Sequence, residues 1–168
     1  RGLGDVYKRQ GVSMIEDLRD WIEKCEKEGE LKRIKAEVDW NLEMAHIASV
    51  NEAKRGPALL FENVKDYEIP VLASALTTTR RMAITLGMPL HSSICDMAKK
   101  WKEETKKVVK PIEVKDGPVL EEVVEGERVN VFDLPVPQLY PQDGGRYIGT
   151  AGFLVTEDPD SGWTNLGT

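Results

Sequence analysis

The chain has 168 residues, 40% hydrophobic and 31% charged with the signs mixed, which suits one ordinary folded domain or one and a half small ones. A formal charge of -6 without a basic stripe interleaved with aromatics argues against nucleic acid as a partner. No apolar run approaches the ~20 residues of a membrane helix and no secretory signal is present; Cys25 and Cys95, outside any CxxC or metal-type spacing, read as reduced, buried thiols of a cytoplasmic protein.

Residues 1–13 open with RGLGDVYKRQ, which has no hydrophobic period and resembles a translated sequencing adapter. They are expected to be a non-native leader, a natural disordered arm being the alternative. From Met14, apolar residues at 14, 15, 18, 21, 22 and 25 predict an amphipathic helix that Gly29 closes. ELKRIKAEVD reads as a short strand, and Asp39 or Asn41 is expected to cap a helix carrying Leu42, Met44, Ala45, Ile47, Ala48 and Val50. Gly56-Pro57 breaks it. ALLFENV and IPVLASAL read as strands, the first fully buried. TTTRRMAITLG has Thr caps in front and Gly87 behind, and SSICDMAKKWKEETKK predicts a further amphipathic helix with Trp101 packed inward. Residues 14–112 are therefore expected to form an N-terminal α/β layer domain.

From 113 the helical period is lost. Val, Ile and Phe recur between Gly and Pro, as in a β domain of short strands, and residues 113–168 supply too few strands to close a sheet. RYIGTAGFLVT and WTNLGT flank the turn cluster EDPDSG, a hairpin with a loop of about six residues. Gly145, Gly149, Gly152 and Gly167 in or beside it leave room for close approach to the backbone. Asn165 carries a hard amide oxygen suited to Mg²⁺, Mn²⁺ or K⁺, or satisfies a backbone group in a bulge; the residues alone leave both open. Arg80 and Arg81 at a helix start are read as solvated or paired with acidic neighbours rather than as a phosphate site. The Lys-rich run 98–110 is a solvated face, Ser92 or Ser93 beside His91 and Asp96 makes no triad, and DGGRYIG has the wrong spacing for a phosphate loop.

DGGRYIGTAGFLVTEDPDSGWTNLGT resembles the core of the UbiD-type decarboxylases, and DLRDWIEKCEKEGELKRI, GPALLFENVKDYEIPVL and RRMAITLG resemble the same family in collinear order. The resemblance implies an α/β domain followed by the opening strands of an incomplete flavin-reductase-like split β-barrel. It implies prenylated FMN as cofactor, with Mn²⁺ or Mg²⁺, and K⁺ in some members. The reaction would be the non-oxidative decarboxylation, or the reverse carboxylation, of aromatic or α,β-unsaturated acids. Carried over by position, Asn165 is the ligand of the divalent metal. Leu166, Gly167 and Thr168 contact the cofactor, the Leu166 backbone carbonyl faces K⁺, and Thr150 lines the active site. The family's catalytic Arg would fall two residues past Thr168, and its metal-binding His is neither His46 nor His91. The chain is therefore expected to be a fragment cut within the cofactor site, holding no catalytic residue and inactive as it stands. Full-length relatives are homodimers or homohexamers. Two alternatives are a non-enzymatic α/β binding module and an ordinary FMN-binding split-barrel oxidoreductase.

Overall fold

The computed structural model describes residues 15, 17–110, 112–117, 120–149, 152 and 154–167. The leader, Met14, Thr150 and Thr168 lie outside the described residues.

Helix α1 (Leu18–Lys27) starts where the Asp17 carboxylate accepts the Asp20 N–H at 2.9 Å, and Gly29 follows its end at φ +72. Its buried residues, Trp21 and Cys25, are one turn apart and share a face. Strands β1 (Leu31–Ile34), β2 (Ala58–Phe61) and β3 (Val71–Ala73) form a sheet of order β1-β2-β3. β1 and β2 run parallel, and β2 and β3 antiparallel. Flanked on both edges and covered on both faces, β2 is buried at every position, which is why it reads as the unbroken apolar run ALLF. The strand's period of two sends its residues into two cores. Ala58 and Leu60 join Trp21, Cys25, Leu31 and Ile84, while Leu59 and Phe61 join Val38, Met44 and Val64.

The entry to α2 (Glu43–Ala53) departs from the expected cap. The Asp39 carboxylate is occupied by the Asn41 N–H and the Lys65 ammonium, each at 2.8 Å, so it is not available to the helix. The cap position is Leu42, at φ 68 and ψ -36, with no side-chain cap bond. At α3 (Thr79–Thr85) the expected Thr cap is present: Thr78 accepts the Arg81 N–H. α4 (Ile94–Glu104) is capped by Ser93. In α4 the inward position belongs to Met97; Trp101 is 62% exposed, on the rim of an open apolar groove with Leu76, Met82 and Ile94, and so is not packed inward. Cys25 is buried as expected, but Cys95, beside exposed Ile94 at the start of α4, is exposed.

Beyond residue 110 the expected short strands are not found among the described residues before the hairpin. Two 3-10 turns, Gly126–Arg128 and Val131–Asp133, stand there instead. Local side-chain bonds favour the second turn: Asn130 accepts the Phe132 N–H at 3.1 Å and donates to Asp133 at 2.6 Å. Val123, Val124, Val129 and Val131 remain exposed, with no strand beside them among the described residues. The hairpin itself forms as β4 (Leu154–Glu157) and β5 (Thr164–Gly167). The fold is α+β with small sheets and no closed barrel among the described residues.

Candidate functional site

The hairpin is built around its turn. The Asp158 carboxylate accepts the Asp160 N–H at 2.8 Å and the Ser161 N–H at 3.2 Å, which holds it below the usual carboxylate range. The Asp158 N–H donates to the Trp163 carbonyl at 2.9 Å, and Gly162 takes φ +70 to close the loop. From there the register runs Glu157 to Thr164, Thr156 to Asn165, Val155 to Leu166 and Leu154 to Gly167.

That ladder has no extra residue, so the bulge alternative for Asn165 does not apply. Alternation places Asn165 and Gly167 on one face with Leu154 and Thr156, and Leu166 on the other with Val155, Glu157 and Thr164. Asn165 is exposed, and Gly167 beside it presents bare backbone to the same face. A Cβ at Gly167 would stand 3.8 Å from the Asn165 amide nitrogen, in ordinary contact. Leu154, Val155, Trp163 and Leu166 are all at least 62% exposed, so both faces of the hairpin are open. Thus Asn165, Leu166 and Gly167 come together on one strand, with the Leu166 side chain turned away from the other two. Among the described residues no group of three or more His, Cys, Asp and Glu could hold a metal ion. His46 and His91 are exposed and lie in the N-terminal part of the chain.

Arg81 is not a ligand site. It is wholly buried and donates to Glu30 at 3.1 Å, the Gly56 carbonyl at 3.0 Å, the Ala75 carbonyl at 3.0 Å and the Thr77 hydroxyl at 2.7 Å. Arg80 pairs with the other oxygen of Glu30. Of the two readings the sequence offered, solvated or paired with an acidic neighbour, the second holds for both, and Arg81 is not solvated. Burial keeps the nearby Cys25 thiol neutral, raising it to about 11 against the opposing pull of Arg81.

One cluster escaped sequence reasoning. The Arg146 guanidinium lies 3.7 Å from the Trp40 ring centroid, 5.5 Å from that of Tyr67 and 5.8 Å from that of Phe132. It also donates to the Tyr67 hydroxyl, which in turn donates to the Phe132 carbonyl at 2.9 Å. Arg146 and Tyr147 border an open cavity of about 630 Å³ shared with Leu139, Tyr140 and Asp143. The only sequence signal was a lone Arg in a Gly-rich stretch, and of its partners Tyr67 and Trp40 are 79 and 106 positions away.

Two family descriptions match the chain: the N-terminal domain of 3-octaprenyl-4-hydroxybenzoate carboxy-lyase over residues 22–101, and the Rift-related domain of the same enzyme over residues 110–168. A pyrrole-2-carboxylic acid decarboxylase of Pseudomonas aeruginosa is 34% identical over 158 residues, covering 88% of this chain and 32% of that protein. Among solved structures, the evolved dimeric form of the UbiD-class enzyme HmfF from Pelotomaculum thermopropionicum, in complex with prFMN, aligns with a TM-score of 0.76 at 31% identity. It covers 90% of this chain and 34% of the other. Vanillic acid decarboxylase of Sedimentibacter hydroxybenzoicus, in open form, aligns at 0.80 and 30% identity, covering 92% and 34%. The chain therefore spans about a third of the length of these relatives.

Proposed function

The chain belongs to the UbiD family, and on that footing we propose that it forms the N-terminal unit and the opening of the cofactor-binding segment of a prenylated-FMN-dependent decarboxylase or carboxylase of aromatic or α,β-unsaturated acids. The observation that carries this reading is Asn165, held in a bulge-free ladder opposite Thr156 with its amide exposed and glycine backbone beside it. An accessible hard oxygen suits one place in the shell of Mn²⁺ or Mg²⁺. It is one donor of several, and the described residues do not supply the rest. Gly167, with Leu166, Thr168 and Thr150, would line the cofactor, and the Leu166 carbonyl would face K⁺. Bound prenylated FMN supplies the electron sink that no side chain offers to the carbanion-like centre left by loss of CO₂. The chain's share is to hold and orient. We assign it no catalytic residue, and keep 14–112 and 113–168 as its two units. A cytoplasmic homo-oligomer completes the proposal. No described helix is long and apolar enough to cross a membrane.

The metal role is tested by paramagnetic broadening. Mn²⁺ added with FMN is expected to broaden the amide resonances of Thr164 to Gly167, and Asn165→Ala to abolish that effect while leaving the sheet signals in place. Broadening confined to the turn carboxylates Asp158 and Asp160, unchanged in Asn165→Ala, would sink the assignment. Incubated with aromatic acids and cofactor, the chain by itself is expected to release no CO₂ above a blank.

A further inference from the structure

The polypeptide between Leu134 and Gly149 leads directly into the Asn165 hairpin, and it meets the N-terminal unit at only a few points. Pro135 is the one described residue beyond 110 that is buried. Gln138 bridges Asn41: its N–H donates to the Trp40 carbonyl at 3.1 Å, and its carbonyl accepts the Leu42 N–H at 3.2 Å. Arg146 then seats its guanidinium over Trp40 and bonds Tyr67.

The turn that receives the arm is strained. Leu42 has φ 68 and ψ -36, and the Glu43 N–H donates to the Asn41 carbonyl at 2.9 Å, a three-residue turn of the rare γ type. A bulky residue keeps such a conformation only where its surroundings over-determine it. Here the surroundings include the arm, through the bond from the Leu42 N–H to Gln138.

The chemistry of the contact is also specific. Among the described residues no carboxylate pairs with Arg146, so its cation is met by aromatic faces and a phenol instead. A guanidinium is planar and stacks on aromatic rings, so this contact does not depend on an acidic partner. Past Arg146, among the described residues, the strands of the hairpin pack chiefly on each other.

We propose that Arg146 is a positioning residue, a latch that seats the 134–149 arm against Trp40, Tyr67 and Phe132 and so sets where the Asn165 hairpin stands relative to the N-terminal unit. The latch rests on the fold alone; its consequence for a metal at Asn165 rests on the function proposed above. The test therefore uses neither metal nor flavin.

Cys95 is exposed and Cys25 buried, so a spin label placed on the native chain goes to Cys95, and Asp160→Cys adds a second label in the hairpin turn. The distance distribution between the two is expected to be narrow with Arg146 present. Arg146→Ala is expected to widen it about twofold and to speed amide exchange at Leu42 and Gln138 about tenfold, leaving Leu59 to Phe61 unchanged. Arg146→Lys, which keeps a cation over Trp40 but loses the guanidinium bond to Tyr67, is expected to restore most of the narrowness. An unchanged distribution in Arg146→Ala overturns the proposal. So does equal loss of protection in β2, which would make Arg146 a stabiliser of the whole fold, and so does failure of Arg146→Lys to rescue.

Discussion

Replacing Arg81 by Met keeps much of the side-chain volume and removes every donor. Four acceptors then lose a partner: a Glu30 oxygen, the Gly56 and Ala75 carbonyls and the Thr77 hydroxyl oxygen. The hydroxyl keeps its own bond to the Ser74 carbonyl at 3.1 Å, and Glu30, only 13% exposed, keeps Arg80. Breaking a buried pair costs about 3–5 kcal/mol, and each orphaned buried carbonyl about 1–3 kcal/mol. Because Arg80 retains half of the Glu30 contact, the lower end applies, and Arg81→Met is expected to cost about 3 kcal/mol. At roughly 4–8 °C per kcal/mol for a domain of this size, the melting midpoint falls by about 12–24 °C. Urea unfolding followed by circular dichroism measures it, with Glu30→Gln, which keeps a polar acceptor in place, expected to cost less. A loss below about 1 kcal/mol would refute the reasoning, since it would mean that water or another donor replaces Arg81 without penalty.

Thiol titration of the folded chain at pH 8 is expected to detect one reactive cysteine, Cys95, and to detect Cys25 only after denaturation, because burial raises the Cys25 thiol to about 11; two equally fast thiols would contradict the packing around Trp21. The Asp158 carboxyl is depressed by the Asp160 and Ser161 N–H groups, so its contribution to the turn is complete above the ordinary value of about 3.9 and is lost as pH falls below it through the folded value. The Asp160 amide resonance is expected to report that transition at lower pH than an unstructured aspartate. A midpoint at the ordinary value would show that the turn does not hold its carboxylate.

Where sequence reasoning succeeded, a local signal carried the information. ALLF reads as a buried strand because both faces are covered, and Thr78 announces a helix because its side chain answers the N–H group three residues on. The EDPDSG loop was legible because Asp and Gly close turns by short-range bonds. It failed where the outcome depended on distant partners. Asp39 has the chemistry of a cap, but Lys65, 26 residues away, competes for its carboxylate. The valines of 123–131 have strand propensity, yet propensity without a neighbouring strand leaves turns. Trp101 fits the helical period of α4, but periodicity names a face and does not say how far the layer beneath it extends; Cys95 was expected buried from its residue type alone, and residue type does not place a side chain. For Asn165 the residue alone left a hard ligand and a bulge both open, and the family resemblance favoured the first; the structure adds that its strand is regular and its amide accessible.

The two parts of the chain hold together by different means. Through α4 the chain has two apolar cores on opposite faces of one sheet, and a buried, fully bonded arginine ties α3 to the loops around them. Beyond residue 110 almost nothing described is buried, so burial cannot fix the hairpin. A two-stranded hairpin is at best marginal on its own in water, and this one is closed at its turn by Asp158. Its place beside the N-terminal unit must then come from the few directional contacts of the arm: the Gln138 bridge and the Arg146 cage. Directional contacts of this kind fix orientation while adding little stability. It follows that a variant of the cage should disturb the geometry at Asn165 before it disturbs folding, whereas Arg81→Met should do the reverse.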